Sequence, residues 1–153
     1  MRQFRGRVPL AAILVAILLA SCGRPGVTLR IAGVNDALPG LESSYCQSGG
    51  CSNMCADYST PVPPLRQVRV TTPVTLELSA DPGVTDILGD IWEGDTLSGR
   101  PLESFTVVAP RGKHVSQAMV SGHRYYIYID INWSLPFNSG GQGRAFRVEI
   151  LPP

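Results

Sequence analysis

The chain carries little charge, and neither sign prevails. Its 153 residues include 13 Lys and Arg against 12 Asp and Glu, and the formal net charge is +1. Nucleic-acid binding draws its affinity from clustered cations that neutralise phosphates, so this class of partner is not expected. One domain accounts for about 100–200 residues, so a two-domain cofactor enzyme is not expected either.

Motifs that place a nucleophile, a base or a metal ion are also missing. The sequence has no Gly-x-Ser-x-Gly, no His-Glu-x-x-His and no phosphate-binding glycine loop. His114 lies in a turn-like basic stretch and His123 at a strand entry, and both are predicted to be surface histidines. The acids from Asp81 to Asp95 lack EF-hand spacing and predict a solvated edge that discourages strand pairing. We therefore expect no enzyme and no cofactor.

One apolar run stands near the amino end. Arg2, Arg5 and Arg7 precede it, and residues 10–20 have no polar side chain. The run is shorter than the ~18–20 residues that span a bilayer, which is typical of the apolar part of a secretory signal. It ends in Leu19-Ala20-Ser21-Cys22, which resembles the signal of bacterial lipoproteins.

The resemblance implies that Cys22 receives a diacylglyceryl thioether and becomes the new amino terminus. Residues 1–21 are then the signal peptide, 22–26 a lipidated tether and 27–153 an extracytoplasmic domain. Acyl chains such as palmitate contribute ~0.8 kcal/mol per buried CH₂, and two or more of them anchor stably. The expected location is the extracytoplasmic face of a cell membrane, inner or outer. An ordinary signal cleaved near Ala20 is the alternative.

Alternating apolar and polar residues predict short strands in the remainder of the chain. The alternation is clearest along residues 125–133 and recurs in residues 27–31, 74–79, 105–107 and 146–150. Turns rich in Gly and Pro, among them Gly140-Gly141-Gln142-Gly143, are predicted between these stretches, and no apolar stripe of helical period is sustained. The pattern predicts an all-β, antiparallel two-sheet sandwich of immunoglobulin-like topology.

Two features of the strongest strand invite a more specific interpretation. Tyr125 follows Gly122 and fits a tyrosine corner, in which the hydroxyl bonds backbone a few residues upstream, or else a plain core aromatic. The opposite face presents Tyr126, Tyr128, Asp130 and Asn132 as a candidate recognition surface. The alternative for these tyrosines is that they cover the sheet or pack under the cysteine loop.

Residues 34–66 are predicted to form a long irregular loop that contains Cys46, Cys51 and Cys55. Outside the cytosol such cysteines form disulfides, and proximity in the chain permits any of the three pairs. Because three thiols cannot all pair, one is left over. A metal-handling alternative uses Cys46, Cys51, Met54 and Cys55 as soft ligands for Cu(I) or Zn(II), although His114 and His123 are distant in sequence.

The loop also resembles part of a known group of uncharacterised bacterial secreted and lipoprotein β-domains. The residues that carry the resemblance are Ser44-Tyr45-Cys46, Cys55-Ala56-Asp57, Pro61 to Pro64, Gly122 to Tyr128 and Trp133. It implies a Cys46–Cys55 disulfide and no assigned activity. Gln47, where an aromatic residue is usual, and the extra Cys51 depart from the pattern.

Together these features predict a lipid-anchored, non-catalytic binding or structural module of the cell envelope. Its expected partners are the membrane, through the lipid, and an envelope protein or glycan.

Overall fold

The computed structural model describes residues 23–50, 53–57 and 60–153, and this part of the chain is built from strands and turns. Cys22, Cys51 and the predicted signal peptide lie outside the described residues. The strands are β1 Val27–Ile31, β2 Gly40–Gly49, β3 Met54–Asp57, β4 Leu65–Arg69, β5 Val74–Ala80, β6 Val84–Glu93, β7 Glu103–Val108, β8 Arg111–Ser116, β9 Arg124–Leu135 and β10 Asn138–Leu151.

The strands form two sheets, as the alternation predicts. A three-stranded sheet has the order β1-β5-β8, and a seven-stranded sheet has the order β3-β2-β10-β9-β6-β7, with β4 also paired to β10. The β4–β10 pairing is parallel and the others are antiparallel. The order β1-β5-β8 facing β6-β9-β10 is that of an immunoglobulin-like sandwich, to which β2, β3 and β4 are added beside β10.

One apolar core lies between the two sheets. Leu29 and Leu76 enter it from the small sheet, and Ile87, Ile129 and Phe146 enter it from the large sheet, all at most 1% exposed. Burial of such a side chain contributes about 1.5–3 kcal/mol. The apolar side chains that alternate along the sequence are therefore the ones that hold the two sheets together.

The tyrosine corner is present at the start of β9. The Tyr125 hydroxyl accepts a hydrogen bond from the Val120 amide at 2.8 Å, and the carbonyl oxygens of Ala118 and Val120 lie 3.3 and 3.4 Å away. Tyr125 is 1% exposed. Its ring is therefore part of the core while its hydroxyl fixes the preceding loop.

The prediction of an irregular loop at 34–66 is wrong. This segment contains β2, β3 and the first residues of β4, and β2 pairs with residues 138–146 of β10. The buried positions of β2 include Tyr45 and Gln47, each 8% exposed, and the intervening residues are Ser44, Cys46 and Ser48. Polar residues on both faces remove the apolar alternation, which is why the pattern missed the strand.

Residues 23–26 are packed against the sandwich rather than extended away from it. Pro25 is buried, and the Arg24 guanidinium lies 4.0 Å above the Tyr45 ring and 3.0 Å from Glu42. The Gly26 amide donates to Asp81 at 2.8 Å. The segment expected as a tether is therefore an ordered start of the domain.

Candidate binding groove on the large sheet

A shallow groove of about 520 Å³ crosses the outer face of the seven-stranded sheet. Its floor is Gly141 and Gly143 of β10, and its walls come from β6 and β9 on one side and from β2 and β3 on the other. Glycine leaves the central strand without side chains on this face. The groove is therefore a furrow in the sheet surface, bounded by the side chains of the neighbouring strands.

The glycine at 143 is required by Tyr128. A Cβ at Gly143 would overlap the Tyr128 hydroxyl, and it would lie 3.0 Å from Ser44 Oγ. The Tyr128 hydroxyl in turn lies 3.2 Å from Ser43 Oγ and 3.4 Å from Ser44 Oγ. The tyrosine therefore lies across β10 at the end of the groove and is held there by the serines of β2.

Two carboxylates face each other across the floor. The register aligns Asp130 with Gly143, Gly143 with Ser44, and Ser44 with Asp57. Three strand spacings of about 4.8 Å place the backbones of the two residues roughly 14 Å apart. Leu88, 42% exposed, lies beside Asp130 on β6 and supplies apolar surface. The groove thus offers acceptors at both walls and an apolar contact at one.

Asp130 is the carboxyl group whose protonation the groove alters. Burial raises the pKa of Asp130, and the negative charge of Asp90 raises it further. Asp90 itself accepts a hydrogen bond from Ser104. A cationic ligand at Asp130 would offset the repulsion from Asp90. A ligand that donates a hydrogen bond to Asp130 would stabilise its ionised form.

The disulfide between Cys46 and Cys55 borders the groove. The two cysteines are register partners on β2 and β3, in the row that contains Gly141 and Asn132. The pairing that the resemblance implied is thus confirmed. Because the two sulfurs bond to each other, neither is a thiolate, and the proposed Cu or Zn ligand set loses both. Met54 is 51% exposed, and Cys51 lies outside the described residues.

No group of three His, Cys, Asp or Glu residues within 23–50, 53–57 and 60–153 is placed to hold a metal ion.

The predicted recognition surface is only partly available. Tyr126 is 0% exposed because the segment before β4 covers it, and its hydroxyl donates to the Pro61 carbonyl at 2.9 Å. Burial raises the pKa of Tyr126 to about 12. The prediction that Tyr126 belongs to an exposed recognition surface is therefore wrong, and the alternative, in which it packs under the segment 34–66, is the one observed. Tyr128 is half-buried, whereas Asp130 and Asn132 line the groove.

The floor of the groove comes from residues for which the sequence predicts a different structure. The sequence predicts a turn at Gly140 to Gly143, but these residues lie inside β10. The sequence feature that could have indicated paired glycines is the row of aromatic residues in β9, since Trp133 and Tyr128 occupy the space that side chains at Gly140 and Gly143 would need. Asp57 and Leu88 carried no such signal.

The acids around β6 do not form a sheet edge. β6 lies between β9 and β7, so the expectation that these acids protect an edge is wrong. Asp90 and Asp86 are register partners of the outer-face residues Tyr128 and Asn132. Asp95 lies 3.1 Å from Arg147, and Glu93 lies 2.6 Å from the exposed His123. Asp86 and Asp90 therefore belong to the outer face, while Glu93 ends β6 and Asp95 lies in the loop after it.

His114 is not the solvated loop residue that the sequence predicted. It lies on β8, stacks on the Phe105 ring at 4.1 Å, and places Nε2 2.7 Å from Glu103. Glu103 also accepts hydrogen bonds from Ser116 at 2.6 Å and from the Ala118 amide at 3.2 Å. Burial opposes ionisation of Glu103, but these hydrogen bonds and the His114 charge prevail and lower its pKa below the usual value.

This cluster makes stability dependent on pH. Because the pKa of Glu103 is lower in the folded chain than its ordinary value of 4.5, its ionised form contributes stability above that value, and the contribution is lost as the pH falls through the lower pKa of the folded chain. Glu103→Gln is expected to cost about 1–3 kcal/mol at neutral pH and to reduce the loss on acidification. Urea unfolding at several pH values measures both effects. Glu77→Gln, which breaks only the exposed pair with Lys113, is the matched control, and an equal pH response in both variants would contradict the assignment.

No family model matches this chain, and no curated protein or solved structure was found to be similar to it. The likeness to secreted and lipoprotein β-domains therefore stays a prediction from the sequence.

Proposed function

We propose that the protein is a membrane-anchored extracytoplasmic lipoprotein whose β-sandwich is a non-catalytic binding or structural module of the cell envelope. The observation that carries the proposal is the sequence Leu19-Ala20-Ser21-Cys22 directly before the folded domain. Gly23 and Arg24, the first described residues, contact the sandwich, so a lipid on the preceding Cys22 would be attached beside the domain. The disulfide supports the same location, because disulfides persist in oxidising compartments.

The part of the chain that the structure describes holds no helix of the length and apolarity that a bilayer crossing demands.

The groove is the proposed contact surface for an envelope protein or glycan. It is open and shallow, and it combines two carboxylates, the Asn132 amide and the apolar side chain of Leu88. Hydrogen-bond acceptors beside an apolar contact suit hydroxyl-rich glycans as well as basic peptide segments.

The polar cluster at Glu103 is given a structural role in this proposal. Ser116 and His114 each bond a different oxygen of Glu103, which supports that role.

A photo-reactive amino acid in the groove tests this proposal in the native envelope. We expect a photo-reactive phenylalanine analogue at Asn132, an exposed groove residue, to form one discrete adduct. The same analogue at Thr28, exposed on the small sheet, is the control and is expected to form none. Addition of Asp130→Asn to the groove variant is expected to lower the yield. Equal adducts at both positions, or none at Asn132, would contradict a binding role for the groove.

A further inference from the structure

At one end of the sandwich, β9 turns into β10 through a segment that is apolar and uncharged. Leu135 is the last residue of β9, Pro136 and Phe137 form the turn itself, and Phe137 is 49% exposed. We call these three residues the apolar turn. Residues 131–143 around it contain no charged side chain, and neither do residues 43–56. The two stretches meet at Gly50, whose amide donates to the Phe137 carbonyl at 3.0 Å.

The apolar turn adjoins the residue that follows Cys22. The Asn138 side-chain amide lies 3.5 Å from the Gly23 carbonyl, and Asn138 is the first residue after the turn. Successive Cα atoms are about 3.8 Å apart, so Cys22 is one residue away from this contact. A lipid on Cys22 would therefore enter the bilayer beside Phe137.

The charged groups at this end do not prevent contact with a bilayer. Arg24 is paired with Glu42 at 3.0 Å and lies over the Tyr45 ring. Asp81 accepts the Gly26 amide at 2.8 Å. Arg111, at the start of β8, is exposed and suits the anionic headgroups of a membrane surface.

We infer that the apolar turn inserts into the interfacial region of the membrane and that Phe137 is a second anchor beside the lipid. The inference rests on the proposed lipidation of Cys22. Aromatic side chains favour the boundary between headgroups and acyl chains, and an attached lipid makes their insertion nearly intramolecular. Lipid and turn together fix the orientation of the sandwich, which a lipid alone leaves free to rotate.

This orientation places the groove beside the membrane and open to the side. Asn132 and Asp130 precede Leu135 by three and five residues of β9, so at about 3.3 Å per residue they stand roughly 10–17 Å from the turn. The groove would then face a partner close to the membrane surface, and the start of β9 would face away from it.

Phe137→Trp in the native lipidated protein tests the inference. The probe is vesicles of phosphatidylethanolamine and phosphatidylglycerol, with or without bromine on the acyl chains. We expect the new tryptophan to shift its emission to shorter wavelength on the vesicles and to lose intensity with the brominated lipid. The unaltered protein supplies the baseline from Trp92 and Trp133. Because Phe137 is half-exposed, the variant is compatible with the fold.

Leu102→Trp is the matched control, because Leu102 is 52% exposed and lies just before β7. The register places it roughly 30 Å from the turn along the strands. Its tryptophan is expected to show neither change. Equal behaviour of the two variants overturns the inference, and so does a wavelength shift without bromine quenching, which indicates contact with protein.

An intact-mass measurement on the same sample separates the two proposals. A diacyl mass with an unquenched tryptophan at Phe137→Trp contradicts membrane insertion of the turn alone. Absence of the acyl mass contradicts the lipoprotein proposal itself.

Discussion

Cys22→Ala is expected to abolish acylation and to release the protein from tight membrane attachment. Each buried CH₂ of the lipid contributes ~0.8 kcal/mol, so the loss of two chains removes the main anchoring energy. The remaining apolar run, residues 10–20, is shorter than the ~18–20 residues that a bilayer span requires. Intact mass and extraction of membranes with alkaline carbonate measure the two effects.

Cys51→Ala is the matched control for that variant. It removes a cysteine that is not part of the Cys46–Cys55 disulfide and leaves Leu19-Ala20-Ser21-Cys22 unchanged. It is expected to keep the acyl mass and to stay with the membrane. An unmodified and uncleaved amino terminus in the unaltered protein would disprove lipid anchoring.

Gly140→Ala is expected to destabilise the domain by about 3 kcal/mol or more. A Cβ at Gly140 would overlap the carbonyl oxygen of Cys46 and would stand 2.5 Å from Trp133 Cζ2. A backbone carbonyl in a paired strand cannot move aside as a flexible side chain can. Because a domain has only about 5–15 kcal/mol of stability, the loss is a large share of the total.

Gly141→Ala tests whether that effect comes from the site itself. Its Cβ would lie 3.0 Å from Asn132 Oδ1 and 3.4 Å from the Ile131 carbonyl, which a small adjustment accommodates. We expect it to change the free energy of unfolding by less than about 1 kcal/mol. Denaturant unfolding compares the two variants, and equal losses would show that neither overlap controls stability.

Both glycine variants bear on the groove as well as on the fold. Gly141 lies in the groove floor and Gly140 next to it, where β10 passes between β2 and β9. β2, β10 and β9 approach one another closely at Gly140, and this approach excludes a side chain there. The groove is therefore a consequence of how β10 is packed.

Prediction from sequence succeeded where one strand face is apolar. Along β9 the alternate residues Ile127, Ile129 and Ile131 are at most 1% exposed, as their spacing predicts. The tyrosine corner was one of two interpretations that the sequence offered for Tyr125. It could be proposed because Tyr125 and its backbone partners are only a few residues apart. The disulfide was implied by the resemblance and left open by spacing alone.

Prediction failed where a contact joins distant parts of the chain. The sequence offers packing of Tyr126 under the cysteine loop only as an alternative, because the hydrogen bond to the Pro61 carbonyl spans 65 residues and leaves no local pattern. The charged neighbours Arg111 and Lys113 predict a solvated His114. In the structure, pairing of β8 with β5 and contact with Glu103 and Phe105 bury part of its side chain.

The sequence by itself determined an apolar run that ends before Cys22, the strand alternation and therefore the two-sheet architecture, all of which are local patterns of side-chain type. Only the tertiary structure decided that Gly141 and Gly143 floor a groove, that Asp57 faces Asp130 across it, and that residue 23 meets the β9–β10 turn. Strand register and the order of strands in a sheet set these neighbours, and both depend on packing between residues far apart in the chain.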